Sequence, residues 1–208
     1  MWKSGKFYFC PIRVIISIMI ERDIIFNKVP QKFVEQPVFN MNQESRDNLT
    51  RKRHDFMKNE LKEAGFEVVD SKFRGKSIDS INSRVKIRII NHKEDPLWDL
   101  CAMRFIFKTD EEIDKVIEWF KEKYKPPEKY DFGLSWMRDF RSDKVKNEVN
   151  YAFMQPEYRA VHMRLPFKID GQVDLVDLME VQLVTSEQEI INESTREAYG
   201  SARRYNEL

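Results

Sequence analysis

Two runs of alternating apolar and polar residues flank Asp170-Gly171, and no other feature of the sequence constrains the fold as strongly. A period of two is typical of strands that bury one face, and an Asp-Gly pair between two such runs is typical of a tight hairpin turn. The pattern therefore predicts two antiparallel strands on either side of this pair, with Val161 and Val181 on the buried face.

The length of the turn decides the register, because a slip of one residue moves every side chain of a strand to the opposite face. A two-residue turn would place Glu180 opposite Val161, on the apolar face. A three-residue turn of residues 170–172 instead pairs Val161 with Val181 and His162 with Glu180, so we expect the longer turn. The polar face would then carry His162, Arg164, Glu180 and Gln182.

The rest of the chain mixes helices with strands, without strict alternation. Helical spacing of apolar residues and Ser/Thr-x-x-Glu capping boxes mark the helices, and short apolar runs mark the strands. We expect helices over about Glu44–Ala64, from near Ser77, over Glu111–Lys123 behind the box Thr109/Glu112, and from Ser186 behind the box Ser186/Glu189. We expect strands at Phe66–Ser71 and Leu100–Phe107, and a long polar loop at residues 128–149. This order predicts an α+β domain with a mixed central sheet flanked by helices.

Charge and cysteine content limit the classes of function. The 208 residues include 36 Lys and Arg against 35 Asp and Glu, which argues against a protein that coats polyanions in general. The two cysteines, Cys10 and Cys101, cannot form a disulfide framework. We therefore expect a reducing, cytoplasmic setting.

The first forty residues differ from the remainder. Residues 7–20 are rich in apolar side chains, but Pro11 and Arg13 interrupt the run, which is too short to span a bilayer. We expect no membrane association. We expect residues 1–40 to form an N-terminal extension and residues 41–208 to form the single domain.

One group of polar residues surrounds the start of the second predicted helix. Arg74 and Lys76 precede it, Ser80 lies in its first turn and Arg84 lies one turn further. Cations at a helix start can hold a phosphate chain. A solvated basic helix end is the alternative that this pattern leaves open.

Two further segments combine acids with polar and aromatic residues. Asp99 lies at the mouth of the predicted strand that contains Arg104, and a carboxylate there can hold Mg²⁺, although Asp is also common in turns. Tyr158 and His162 precede and begin the hairpin whose second strand carries Glu180. A polar sheet face exposed to solvent is the alternative.

Taken in order, these segments resemble the synthetase domain of the RelA/SpoT family. The family pattern runs Arg-x-Lys-x-x-x-Ser-Ile-x-x-Lys, Asp-Leu-x-Ala/Gly-x-Arg, Asn-Gly-Tyr-Arg-x-x-His and Glu-(Val/Ile)-Gln. The chain supplies Arg74, Lys76, Ser80, Ile81 and Arg84, then Asp99, Leu100, Ala102 and Arg104, then Tyr158, Arg159 and His162, then Glu180, Val181 and Gln182. The first segment has Arg84 where the family has Lys. The resemblance covers about residues 44–206.

The resemblance implies a nucleotidyltransferase-like fold and an ATP-dependent pyrophosphokinase. Such an enzyme moves the β,γ-pyrophosphate of ATP onto the ribose 3′-hydroxyl of GDP or GTP and makes (p)ppGpp-type alarmones. It implies that Asp99 and Glu180 hold the cofactor Mg²⁺ and that Glu180 also takes the 3′-hydroxyl proton. It implies ATP phosphate binding by Arg74, Lys76, Ser80, Arg84 and Arg104, and acceptor binding by Tyr158, His162 and Gln182.

Departures from the pattern keep two other functions open. Met154 stands where the family has Lys, and Pro156-Glu157 stands where it has Asn-Gly, next to the acceptor position. One alternative is a toxin that pyrophosphorylates the 3′ CCA end of tRNA and has a cognate antitoxin; the other is an inactive nucleotide-binding module. The tRNA alternative draws on a basic helix that can track a phosphate backbone, with Arg46, Arg51, Lys52, Arg53, His54, Lys58 and Lys62. Acidic Asp47, Asp55 and Glu60 interleave with these residues, so a solvated helix face is the alternative.

Overall fold

The computed structural model describes residues 38, 41–90, 97, 99–128, 135–142, 157–169 and 172–195. Within these ranges lie five strands and four helices, which confirms the predicted α+β class. The helices are α1 (Gln43–Glu63), α2 (Ile78–Ile90), α3 (Asp110–Tyr124) and α4 (186–195). The strands are β1 (Asp70–Gly75), β2 (Cys101–Phe107), β3 (Met137–Asp139), β4 (Val161–Ile169) and β5 (Gln172–Thr185).

All five strands belong to one mixed sheet, in the order β1-β2-β5-β4-β3. Strands β2 and β5 run parallel, whereas the other three neighbouring pairs run antiparallel. β1 begins at Asp70, later than the predicted strand at Phe66–Ser71, and the short β3 lies inside the segment predicted to be a loop. The parallel pair places the motifs of two distant segments side by side at the centre of the sheet.

The hairpin confirms the predicted faces but not the predicted pairs. Its main register pairs Val161 with Leu183, His162 with Gln182 and Arg164 with Glu180. The ladder then shifts between Pro166 and Lys168, and Ile169 pairs with Gln172 across residues 170–171, which lie outside the described residues. The prediction of a three-residue turn was wrong. Pro166 has no N–H to donate to the ladder, and the register shifts beside it. Because of this shift, a two-residue turn is compatible with an apolar inner face.

The inner face of the sheet is covered by helices. α1 lies against β1 and β2, while α3 lies against β2 and β5. Phe105 and Val181 of the sheet, Met57 of α1 and Phe120 of α3 are fully buried in this core. The opposite, polar face is left for the side chains that the motifs supply.

Helix starts follow the expected chemistry with one exception. Thr109 and Glu112 form the predicted capping box of α3. α4 is instead capped by Thr185, whose hydroxyl accepts from the Gln188 N–H at 3.2 Å. The box predicted at Ser186/Glu189 was wrong, because Ser186 donates to the Phe107 carbonyl, and the Glu189 carboxylate binds cations of the sheet. Among the described residues, no helix combines the length and the apolar character needed to cross a bilayer.

Candidate active site

Two rows of mostly polar residues cross the outer face of the sheet. Cross-strand partners share a face, so the pairing registers place residues from distant segments next to one another. The first row is Arg74, Ala102, Glu180 and Arg164; the second is Lys72, Arg104, Gln182, His162 and Arg138. Residues from all four motifs thus lie on this polar face or beside it.

Lys76 and Asp99 lie at one end of these rows. The Lys76 ammonium donates to the Asp99 carboxylate, and both side chains are largely buried, at 11% and 22% exposure. Burial lowers the pKa of Lys76 and outweighs the attraction of Asp99; the charge of Arg84 lowers it further, whereas Glu180 raises it. Asp99, Arg84 and Glu180 therefore all lie within electrostatic reach of Lys76.

Glu180 lies at the centre of the sheet, 13% exposed, and is held from two sides. Its Oε1 lies 3.7 Å from His162 Nδ1 and accepts from the Gln182 amide. Burial disfavours the charged carboxylate, but His162, Gln182 and Arg164 together outweigh it and lower the pKa of Glu180. The carboxylate is therefore ionised at neutral pH, the state required of a metal ligand.

Arg104 is locked between a strand and a helix. Its Nε and Nη2 donate to Gln182 Oε1 at 2.9 and 2.7 Å, and its Nη1 donates to Glu189 Oε2 at 2.7 Å. Glu189 also accepts from Lys72 at 2.6 Å. Glu189 of α4 therefore pairs with both Lys72 and Arg104 of the second row, while Arg74 in the first row is exposed.

Tyr158 precedes β4 and reaches the same face. Its hydroxyl lies 2.6 Å from His162 Nε2, and its ring packs on the small cluster that contains Ala160. Burial raises the pKa of this phenol, so it is neutral at physiological pH. Asn192 of α4 holds the adjacent peptide, since its amide accepts from the Arg159 N–H and donates to the Arg159 carbonyl at 3.3 and 2.9 Å. Tyr158, His162 and Glu180 therefore form a continuous polar chain.

Ser80 lies apart from this group. It is exposed at the start of α2, where Ser77 Oγ donates to its hydroxyl at 2.9 Å. No hydrogen bond recorded for the described residues joins it to the polar face. Its predicted role in phosphate binding therefore stays a prediction.

The basic helix differs from the expectation. Arg46, Arg53 and His54 are buried, at 1%, 2% and 5% exposure, so they are not available to a phosphate backbone. α1 also packs on the apolar face, where His54 stacks on Phe105 with 5.5 Å between ring centroids. The helix therefore does not present one continuous basic stripe, and its exposed cations are Arg51, Lys52, Lys58 and Lys62.

The sequence interpretation missed Glu189 and Asp47. Glu189 was assigned to a local cap, and Asp47 to a solvated charge pattern; in the structure they bind Arg104 and the Gly75 N–H. Both partners lie far away along the chain, so neither spacing nor periodicity signals them. Charged residues inside an otherwise well-patterned helix were the available hint.

The donor set fits Mg²⁺. No group of three or more His, Cys, Asp or Glu residues suited to a metal occurs among the described residues. Mg²⁺, however, commonly binds one or two carboxylates and takes its other ligands from water and substrate phosphates. Asp99 and Glu180 supply two carboxylates, and the Lys76 ammonium already places a positive charge against Asp99.

No protein-family model and no curated protein matches this chain, but solved structures do. Small alarmone synthetase 1 from Bacillus subtilis is 19% identical over 73% of this chain and 76% of that chain, with a TM-score of 0.47. A GTP pyrophosphokinase family protein from Streptococcus pneumoniae is 15% identical over 78% and 76%, with a TM-score of 0.49. Small alarmone synthetase 2 from B. subtilis is 16% identical over 77% and 82%, also at 0.49.

These three neighbours are small alarmone synthetases or a member of the GTP pyrophosphokinase family. Small alarmone synthetase 1 has also been solved with its product pppGpp and with AMPCPP. With identities below 20% and TM-scores below 0.5, we infer no activity from these similarities.

Proposed function

We propose that this chain is an ATP-dependent pyrophosphokinase that transfers the β,γ-pyrophosphate of ATP to the ribose 3′-hydroxyl of GDP or GTP. The observation that carries the proposal is the meeting of four distant motif segments on one sheet face. Lys76 and Asp99 form an ion pair, and Gln182 donates to Glu180 and accepts from Arg104. A solvated polar face does not require such a connected network, and buried polar networks are stable only when their members are satisfied.

Positive charge at one end of the polar face suits the triphosphate of the donor. The exposed Arg74, the largely buried Lys76 and the half-buried Arg84 surround the start of α2. Helix N–H groups and cations at such a start favour phosphate oxygens. In this proposal Lys76 exchanges its contact with Asp99 for a phosphate when the donor and its metal bind.

Mg²⁺ would be held by Asp99 and Glu180 and would supply charge stabilisation to the phosphoryl oxygens as the pyrophosphoryl group transfers. Glu180 is ionised before substrate arrives, and its interactions with His162 and Gln182 fix its orientation. A carboxylate with a lowered pKa is a weak base, because efficient general bases have pKa values near the working pH. We therefore assign Glu180 chiefly to metal binding, with removal of the 3′-hydroxyl proton as its second role.

The acceptor would lie beside Tyr158 and His162. In this proposal the acceptor base stacks on the Tyr158 ring, and such stacking does not depend on which base is present. His162 lies between Tyr158 and Glu180, with Nε2 2.6 Å from the Tyr158 hydroxyl and Nδ1 3.7 Å from Glu180 Oε1.

The test mixes purified protein and Mg²⁺ with ATP that carries label at the γ or the α position. GDP, GTP or deacylated tRNA is offered as acceptor. Pyrophosphate transfer moves γ-label onto the acceptor and releases α-labelled AMP, whereas transfer of one phosphate would release ADP. We expect labelled GDP or GTP with an equal amount of AMP.

Two results would contradict the proposal. Labelling of tRNA without labelling of either guanine nucleotide would replace it with the tRNA-modifying toxin. ATP binding without transfer to any of the three acceptors would favour the inactive nucleotide-binding module. Asp99→Asn protein, prepared in parallel, controls for a contaminating activity.

A further inference from the structure

The first two turns of α1 hold the backbone of Gly75 and Lys76. The Gly75 N–H donates to Asp47 Oδ1 at 3.1 Å, and the Gly75 carbonyl accepts from Gln43 Nε2 at 3.4 Å. The Lys76 carbonyl accepts from Arg46 Nη1 at 2.6 Å. Three side chains of one helix therefore bind three backbone groups of two consecutive residues.

The remaining backbone group of this pair points toward the second motif. The Lys76 N–H donates to the Leu100 carbonyl at 2.8 Å, and Leu100 directly follows Asp99. The same lysine contacts the Asp99 carboxylate through its ammonium. The backbone and the side chain of Lys76 are thus fixed to the same segment.

Arg46 is a buried part of this contact between α1 and the Gly75-Lys76 backbone. It is 1% exposed, and it also donates to the carbonyls of Val38 and Met41 at 3.3 and 2.6 Å. A buried guanidinium is costly unless its donors are satisfied. Here backbone carbonyls satisfy it, and the one that lies furthest along the chain belongs to Lys76.

Glycine is required at position 75 for space. Of the described glycines, only Gly65 has a positive φ, so Gly75 does not need left-handed backbone. A Cβ at Gly75 would overlap Asp47 Oδ1 and lie 3.2 Å from the Asp47 backbone nitrogen. Asp47 Oδ1 cannot move away without losing its hydrogen bond to the Gly75 N–H.

We propose that Arg46, Asp47 and Gly75 form a positioning device that holds Lys76 against Asp99 in the geometry needed for the donor phosphates. The inference rests on the proposed function and deepens it. These three residues act through Lys76 and do not touch substrate. Through these contacts α1, which packs on the apolar face, would fix the position of Lys76 at the end of the polar face where the donor phosphates are proposed to bind.

Kinetics of transfer provide the first test. Gly75→Ala should lower kcat/KM for ATP by about 10- to 100-fold, since small misplacements of positioning groups have effects of that size. Asp47→Ala should lower it about tenfold, and Asp47→Asn should recover most of the loss because its amide oxygen still accepts from Gly75. The KM for the acceptor should change less than about twofold in each variant.

Matched controls separate positioning from general loss of stability. Gly65→Ala introduces strain at φ 86° but has no heavy atom within 4 Å of its new Cβ, so it should lower only the melting temperature. Asp55→Ala alters an aspartate of the same helix that is 63% exposed. Losses of kcat/KM in the controls equal to those in the Gly75 and Asp47 variants would overturn the proposal.

Amide hydrogen exchange in the free protein gives a readout that does not depend on activity. Asp47→Ala should speed exchange of the Gly75 amide, and Gly75→Ala should speed exchange of the Lys76 amide, while the controls change neither. Altered exchange together with an inactive wild type would retain the structural positioning of Lys76 and refute the proposed function. An active wild type with unchanged exchange and unchanged ATP kinetics in the variants would refute the positioning alone.

Discussion

The two faces of the five-stranded sheet use alternate residues of the same strands, yet different forces hold them. On the inner face, Phe105 and Val181 are completely buried among apolar side chains, and burial of this kind is not directional. On the outer face, Arg104, Gln182 and Glu180 are joined by hydrogen bonds, each of which needs a particular donor and acceptor. The comparison predicts that inner-face changes reduce stability, whereas outer-face changes reduce activity.

The largest effect on activity should come from the two carboxylates. Asp99→Asn or Glu180→Gln should each lower the rate of pyrophosphate transfer by about 10²- to 10⁴-fold, because in the proposed function each removes a charged metal ligand or base. Circular dichroism should show a native fold in both variants. Glu187→Gln, an exposed change on α4, is the control and should have wild-type rates. Wild-type turnover in both carboxylate variants would show that the active site lies elsewhere.

The largest effect on stability should come from the inner face. Phe105→Ala removes a fully buried ring and should lower the free energy of unfolding by about 3–5 kcal/mol in chemical denaturation. Phe56→Ala removes a ring that is 51% exposed and should cost about 0.5 kcal/mol or less. Equal losses in the two variants would contradict the assignment of the core.

Tyr158 separates stacking from hydrogen bonding on the outer face. Tyr158→Ala should lower transfer by about 5- to 150-fold, the equivalent of roughly 1–3 kcal/mol of base stacking, with ATP binding retained. Tyr158→Phe keeps the ring, loses only the contact with His162, and should have a smaller effect. Rates measured at saturating ATP against a series of acceptor concentrations would compare them. A greater loss in the phenylalanine variant would exclude stacking as the role of the ring.

The lowered pKa of Glu180 predicts a pH dependence of stability. A carboxyl group has a pKa of about 4.3 when unfolded. The pKa of Glu180 in the folded protein lies below this unfolded value. Ionised Glu180 therefore contributes fully to folding stability above the unfolded pKa, and the contribution is lost as the pH falls toward and through the folded pKa. The difference in melting temperature between wild type and Glu180→Gln should therefore shrink as the pH falls below about 4. A constant difference from pH 7 to 2 would contradict the lowered pKa.

The smallest effect should follow charge reversal on the far side of the molecule. Arg51, Lys52 and Lys58 are exposed on α1, whose body covers the opposite face from Glu180. Changing all three to Glu should leave labelling of GDP or GTP within about twofold, since surface charges this far away are screened. Arg53 is left unchanged because it is buried. A large loss of labelling in the triple variant, together with a similar loss when salt is added to the wild type, would instead indicate that a polyanionic substrate binds this helix.

Local chemistry made several features predictable from the sequence. The capping box of Thr109 and Glu112 spans one helical turn, so its two partners are specified by spacing alone. The alternation along β4 and β5 correctly placed His162 and Glu180 on one face and Val161 and Val181 on the other. The four motif segments could be recognised in the sequence, but their order along the chain does not predict which of their side chains are in contact.

Tertiary structure decided the partners. Both Thr185 and Ser186 can cap a helix, and the contact of Ser186 with the Phe107 carbonyl leaves the cap to Thr185. The cross-strand pairs of the hairpin depend on the register shift between Pro166 and Lys168. The alternation of apolar and polar residues does not reveal such an irregularity, so the pairs could not be predicted from the sequence.

The amino-acid sequence by itself therefore determined the described helices, the described strands other than β3, and the faces of the hairpin strands β4 and β5, since these depend on neighbours a few positions away. The contact of Asp47 with Gly75 joins residues 28 positions apart, and the contact of Arg104 with Glu189 joins residues 85 apart. Such pairs form only when the sheet and the helices have packed, because a hydrogen bond requires both groups at one place with the correct direction. The positions of Lys76 and Arg104 on the polar face were for that reason settled by the fold and not by the motifs.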